Sequence, residues 1–142
     1  LGSALMNCGG GIFMSGPLLN GNPWEIGIHR PFDRSSGYIG MMYFTHCCGV
    51  ATSSTDRRRW MQGDSLRHHI IDPHTGRSAE SDVVSVTIVA PTAVEAETAA
   101  KSVLIRGSVE GLDWLESKSN LAALIILENG SIVYSQRIKE YL

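Results

Sequence analysis

The sequence predicts an α+β fold, a largely antiparallel sheet with packed helices, and three observations predict it. Apolar runs of strand length recur along the chain, two of them alternating and one apolar on both faces, and each is bounded by Gly, Pro, Asn or Ser. Two later stretches carry helical spacing instead, the first of them opening on Thr92 with Glu95 three residues on. Near the end, Glu128-Asn129-Gly130 joins two apolar runs, and Asn-Gly favours a type I′ hairpin turn.

Taken in order, residues 3–8 and 11–15 read as strands separated by Gly9-Gly10-Gly11, with Leu1 already inside the first of them. That glycine run is either an anion-binding nest of N–H groups or a sharp turn without a ligand. The breaker-rich segment 16–23 is a loop. Residues 24–30 and 38–44 alternate and form two antiparallel strands joined by the polar segment 33–37. Residues 48–54 are small, with three hydroxyls, and lead into Arg57-Arg58-Arg59-Trp60. This is either a place where backbone N–H groups, hydroxyls and an arginine fork reach phosphate oxygens, or a solvated basic loop anchored by Trp60.

Residues 83–90 form a strand apolar on both faces, which places it in a sheet covered on both sides. The helix over 93–106 follows, with Thr92 and Glu95 as a capping box, a stripe of Ala93, Ala96, Ala100, Val103 and Leu104 against the sheet, and Gly107 ending it. On its edge, Glu97 and Lys101 stand one turn apart, the spacing of an i,i+4 ion pair. A second helix over 109–118 turns Leu112 and Leu115 inward, and strands at 121–127 and 131–136 close the chain as a hairpin. The tail 137–142 carries no pattern.

Composition sets bounds. At 142 residues the chain is one domain or part of one, able to bury well over half of its unfolded surface. A formal charge of −2 excludes a general nucleic-acid binder. There is no apolar run long enough for a membrane-spanning helix, and the first residues show neither the basic region nor the apolar core of an export signal. Three cysteines make no disulfide framework, Cys47 and Cys48 being adjacent, and are expected as small buried apolar residues.

The densest chemistry lies at 67–76, Arg-His-His-Ile-Ile-Asp-Pro-His-Thr-Gly, read as a strand and then a stiff turn. Alternation sends His69 and Ile71 to one face and His68 and Ile70 to the other, so one histidine of the pair is structural. Two readings stand side by side: a strand end whose histidines are satisfied by neighbours, or a metal site using His69, Asp72 and His74. The spacing fits no zinc pattern built on cysteine pairs or on HExxH.

That string resembles the H-x-I-I-D-P-x-T-G-x-P segment of the ApbE-type flavin transferases (FAD:protein FMN transferases), and other blocks agree in order. Asn7-Cys8-Gly9-Gly10-Gly11-Ile12 is similar to the family's N-x-G-G-D-I, Trp24 to Ile28 to W-x-I-G-I, Val50 to Ser53 to V-A-T-S, and Ser85 to Ala93 to S-V-T-V-x-A-P-T-A. The resemblance covers the second half of the family's usual domain. It implies the fold already predicted and transfer of FMN from FAD to a Thr or Ser hydroxyl of a partner protein, releasing AMP with Mg²⁺ assisting.

The same resemblance implies His69 as the base, Glu97 as a metal ligand, and Gly9, Gly10, Thr52, Ser53, Arg58 and Lys101 as FAD-binding residues. Asp72 and Thr75 then brace the turn. Four positions depart from the family: Gly11 stands for an acid or amide, Ser54 for a glycine, and Glu97 and Lys101 for the Asp and Thr that hold magnesium on the pyrophosphate. Either the metal is held without Lys101, or its ammonium supplies that positive charge itself. The family's first half holds much of the flavin pocket, so a second chain supplying it is an expected partner. Alternatives are a non-catalytic FAD-binding or structural relative and a metal-dependent FAD pyrophosphate hydrolase. Family members are often periplasmic or envelope-associated, and the compartment is left unassigned. The mechanism requires His69 and Glu97 on one side of the sheet.

Overall fold

The computed structural model describes residues 2–33, 35 and 37–142. Leu1 and, within the joining segment 33–37, Arg34 and Ser36 lie outside the described residues.

Both early strands form, as β1 (Leu5–Cys8) and β2 (Gly11–Met14), and the two alternating runs become β3 (Trp24–His29) and β4 (Tyr38–Phe44). The small-residue stretch is β5 (Cys48–Ser54), a central strand. It is followed by two short hairpins, β6 (Arg59–Gln62) with β7 (Ser65–His68), and β8 (Ile71–Asp72) with β9 (Arg77–Ser78). Then come β10 (Val83–Ala90), α1 (Ala93–Arg106), α2 (Ser108–Glu116), β11 (Ala122–Leu127) and β12 (Ile132–Tyr134). The main sheet runs β1-β2-β5-β10-β11-β12 with every pairing antiparallel, so the predicted α+β class holds.

Alternation along the strands divides two cores between the sheet's faces. One face sends Ala51, Val86, Ile88 and Ile125 against α1, which meets them with Ala96, Ala99, Ala100, Val103 and Leu104. The other sends Val50, Val89 and Leu124 against Met14, Ile28, Met42 and Phe44 under the β3–β4 hairpin. Every residue of β10 is buried, as a strand covered on both sides requires.

α1 begins as its sequence dictates: Thr92 Oγ1 accepts from Glu95 N at 3.2 Å and the Glu95 carboxylate accepts from Thr92 N at 3.1 Å. Ala99 belongs to the packed stripe, while Ala93 is only half-buried. The helix lies so close to the sheet that a Cβ on Gly49 would come within 2.3 Å of the Ala93 backbone N.

Two details differ from expectation. The hairpin between β11 and β12 has Gly130 alone at positive φ, 83°, with Gly130 N donating to Leu127 O.

 That bond, at 2.9 Å, closes a type I turn over Glu128 and Asn129 with Gly130 as the following bulge, so the type I′ expectation is corrected: Asn129 does not take the positive φ which that turn needs. The patternless tail is ordered by burial: a 3₁₀ turn over Gln136–Glu140 places Ile138 in the second core, and Tyr141 packs its ring 5.3 Å from that of Phe44. No helix among the described residues is long and apolar enough to cross a membrane.

Candidate functional site

The strand expected through the paired histidines stops at His68, and the chain resumes pairing at Ile71. The alternation nevertheless holds: His68 and Ile70 are buried, His69 is half-buried and Ile71 is exposed. His68 is the structural member of the pair. Its Nδ1 accepts from Ile70 N at 3.3 Å and its Nε2 lies 3.0 Å from Ala79 O, so both ring nitrogens are used. Ser78 Oγ completes the tie, accepting from His68 N at 3.0 Å and donating to His68 O at 2.8 Å.

The turn beyond is braced as its residue types predict. Asp72 Oδ1 accepts from His74 N at 2.9 Å, Gly76 N donates to Asp72 O at 2.8 Å, and Thr75 Oγ1 accepts from Arg77 N at 3.2 Å. His69 therefore projects from a segment tied at both ends.

The His69 ring is in a different state. Its Nδ1 is buried and has no hydrogen-bond partner. Its pKa lies below the ordinary histidine value of 6.5, first because burial disfavours the charged ring, then because Arg58, His68 and Lys101 add positive charge, with Asp56 opposing. His69 is thus a neutral imidazole facing two permanent cations.

Those cations come from separate elements. Lys101 sits on α1 and pairs with Glu97, one turn earlier, both side chains being about half-exposed. Arg58 adopts a left-handed backbone, φ 47°, uncommon for a residue with a Cβ. That reversal separates three consecutive arginines: Arg57 lines a cleft with Thr52, Arg58 acts on His69, and Arg59 lies with its Cζ 5.0 Å above the Phe32 ring. Glu97 and Lys101 stand on α1, on whose side of the sheet Ser53 is also buried beside Ala51. The cavity lined by Glu97, about 330 Å³ between the Cys8–Gly11 turn and the start of α1, does not include His69.

On the opposite face lies a larger cleft, about 520 Å³. Its floor is a patch of hydroxyls from two paired strands, Thr52 and Ser54 on β5 opposite Thr87 and Ser85 on β10. Thr52 Oγ1 and Thr87 Oγ1 are 2.9 Å apart, and Ser54 Oγ stands 2.5 Å from Asp56 Oδ1. One wall is β3 with Tyr38, whose ring stacks 4.7 Å from His29, and the end is closed by Gly9 and Gly10. Asn7 Oδ1 accepts from Gly10 N at 3.1 Å, so that turn is partly satisfied from within.

The sheet therefore divides the sequence-assigned set. Gly9, Gly10 and Thr52 line the large cleft, whereas Glu97 and Lys101 stand on the helix and Ser53 faces it, because neighbours in a strand point oppositely; Arg58 and Lys101 both act electrostatically on His69. Two features connect the faces. Gly9 borders both cavities, and β5 pairs with β2 only as far as Val50, which leaves the outer edge of residues 51–54 outside that ladder. Sequence reasoning missed Ser54, Ser85 and Thr87; the available signal was hydroxyls at alternate positions in otherwise apolar strands.

The cysteines need correction. Cys48 is buried, with its thiol pushed up to about 11 by burial and by the neighbouring Cys47, but Cys8 and Cys47 are exposed.

The sequence pattern of the ApbE family matches residues 1–125. The FAD:protein FMN transferase of Salmonella typhimurium is 30% identical over 126 residues, covering 89% of this chain and 35% of that protein. The FAD:protein FMN transferase of Treponema pallidum is 33% identical over 136 residues, covering 89% and 37%. Among solved structures, the ApbE protein from Thermotoga maritima superposes with a TM-score of 0.82 at 30% identity, over 98% of this chain and 44% of that one. The flavin transferase ApbE from Vibrio cholerae gives 0.78 at 27%, over 97% and 44%. The chain thus spans well under half the length of these relatives.

Proposed function

The chain belongs to the ApbE family, and from that premise we propose that it forms part of an enzyme moving FMN from FAD to a Thr or Ser hydroxyl of an acceptor protein, with AMP released. The acceptor oxygen attacks the flavin-side phosphorus, the bond from that phosphorus to the bridging oxygen breaks, and the bridging oxygen leaves with AMP. The hydroxyl proton needs a base and the pyrophosphate needs positive charge.

The observation that carries this reading is His69: an imidazole kept unprotonated by burial, Arg58 and Lys101, which acts as the base while the two cations face the phosphates. The 520 Å³ cleft has the volume of a small-molecule site, and its hydroxyl floor and aromatic wall suit a flavin or adenine ring with polar edges. A dinucleotide then passes the open edge of β5 at Gly9 to bring its pyrophosphate to the helix side. The portion of the domain that this chain does not span is supplied in this reading by further polypeptide, joined or separate.

The resemblance implies magnesium, and the donors present decide whether this chain suits it. Glu97 is engaged by Lys101, and no group of three His, Cys, Asp or Glu gathers among the described residues. A hard divalent ion takes several oxygen ligands and is repelled by an ammonium at its carboxylate. The residues present do not fit it, and no step here passes through it.

The test is incubation with FAD and a flavin-acceptor protein, reading protein-bound flavin fluorescence and free AMP. Label with AMP is the expected result; AMP without label identifies water as the acceptor, and neither product sinks the reading. His69→Ala is expected to lose the label.

A further inference from the structure

The excursion between β5 and β10 leaves a groove that binding of FAD does not use. It lies between the β6–β7 and β8–β9 hairpins, has a volume of about 280 Å³, and is lined by Trp60 and Gln62 on β6, Arg67 on β7, Ile71 on β8 and Arg77 on β9. Trp60 and Ile71 are each 47% exposed, so two large apolar side chains stand open to solvent in one place. Beside them are two guanidinium groups, and among the described residues neither Arg67 nor Arg77 pairs with a carboxylate. Arg77 is opposite Asp72 in the β8–β9 ladder, but Asp72 Oδ1 serves His74 N instead. Asp72 and Glu80 line a separate cavity that Arg77 also borders, and no acidic side chain lines the groove itself. The position of the groove follows from the chain: His69-Ile70 is the link between the two hairpins, so Arg67 and Ile71 each stand two residues from His69. Burial alternates there, with His68 and Ile70 inside, Arg67 and His69 half-buried and Ile71 exposed. Among the described residues β6 pairs with β7 alone, which leaves its other edge open to an added strand.

We propose that this groove holds an acidic, extended segment of the acceptor protein, Arg67 and Arg77 taking its carboxylates and Trp60 with Ile71 taking an apolar or aromatic side chain beside them. That the segment belongs to the acceptor rests on the transferase reading; that it is acidic rests on the two unmatched guanidinium groups. An arginine fork matches a carboxylate bidentately, and tryptophan and arginine are the side chains on which protein–protein binding energy concentrates. Two charges fixed on separate hairpins also set the direction in which a segment can lie. Since the link between those hairpins carries His69, a segment seated in the groove has its neighbouring hydroxyl delivered toward the residue assigned as base.

The test titrates the full chain into a fluorescein-labelled peptide of alternating Asp, Phe and Thr, followed by anisotropy, and into the same peptide with Lys for every Asp. The acidic peptide is expected to bind about tenfold more tightly or better; equal binding overturns the proposal, and this comparison needs no variant. Arg77→Gln and Trp60→Ala change exposed side chains, so circular dichroism should match the parent, and each is expected to weaken binding of the acidic peptide about tenfold. Arg137→Gln removes the same charge from the tail and should leave binding unchanged; equal weakening by Arg137→Gln and Arg77→Gln would show a diffuse charge effect and no site. Self-association, or capture by phosphatidylglycerol vesicles, that Trp60→Ala abolishes would give the groove a different occupant and overturn the proposal. In the labelling assay Arg77→Gln and Trp60→Ala should raise the KM for the acceptor protein about tenfold with FAD binding unaltered. Label formed with that KM unmoved removes the groove as the acceptor's seat and leaves the transferase reading intact. Acidic peptide bound through Trp60 and Arg77 in a protein that gives no label leaves the groove standing and removes only the transferase reading.

Discussion

The two faces of the main sheet are built from the same strands and differ in what covers them. On one, α1 meets Ala51 and Val86 with alanines and lies so close that Gly49 has helix backbone where a Cβ would be. Between helix and sheet no ring-sized space is left, and the open groups on that side, Glu97 and Lys101, lie on the helix's outer surface. On the other, a two-stranded hairpin covers only part of the sheet, and hydroxyls at alternate positions of β5 and β10 floor a cleft of about 520 Å³. The lesson is that the width of the covering element decides what kind of site a face can hold. A close-packed helix yields a charge site at its edge, and a narrow hairpin yields a volume.

The largest expected effect tests the tightness of the helix side. Gly49→Val pushes a branched side chain into the α1 backbone and is expected to destabilise the fold by about 3 kcal/mol, whereas Gly40→Ala on the hairpin, where a Cβ meets nothing within 4 Å, should change stability by less than about 0.5 kcal/mol. Urea unfolding of the pair measures both, and equal losses would break the contrast.

A crossed pair of binding experiments sharpens it further. The double variant Thr52→Val with Thr87→Val removes both partners of one hydrogen bond from the cleft floor, so its stability should stay within about 1 kcal/mol of the parent. FAD binding, followed by flavin fluorescence, should weaken about tenfold with pyrophosphate binding unaltered. Pyrophosphate binding that falls equally would place both ligands in one cleft.

The next effect is on pH. Because the folded-state pKa of His69 lies below 6.5, the ring is neutral at pH 7, and the labelling rate should be flat near neutrality and fall only below that value as the ring takes up a proton. Lys101→Met removes one of the charges that lower it, so the midpoint of the profile should move up. A midpoint unmoved by that change would show that Lys101 does not contribute to the lowering.

The smallest expected effect lies at the α1–α2 junction. Asp82 Oδ1 accepts from Ser108 N at 2.8 Å and Oδ2 from Ser108 Oγ at 2.5 Å, and these bonds hold its carboxyl below the ordinary 3.8. A depressed carboxyl stabilises the fold above its unfolded-state value and loses that contribution as pH falls through the folded one. Ser108→Ala should therefore lower the melting temperature slightly at pH 7 and match the parent in strong acid.

Much of this was readable from the chain. Capping box, turn residues and the opposite fates of His68 and His69 follow from rules that act over a few residues, and each is found in place. For the site, the family blocks name candidates, His69, Glu97, Lys101 and Arg58 among them. It was not readable in its arrangement: placing Thr52 and Ser53 in one pocket overlooked that the small-residue stretch is a strand, whose neighbours face apart.

By itself, the sequence determined the class of fold, the strands and helices that carry it, the stiff turn bearing His69 and the ion pair on α1, because all of these are set by local torsions and spacings. Only the tertiary structure decided which arginine of three acts on His69, that the tail buries Ile138, and that residues 51–54 of β5 keep their outer edge outside the ladder with β2. Those outcomes depend on one left-handed residue at Arg58 and on where the β2–β5 register ends at Val50, and chain direction and strand pairing are fixed by contacts between residues far apart in sequence.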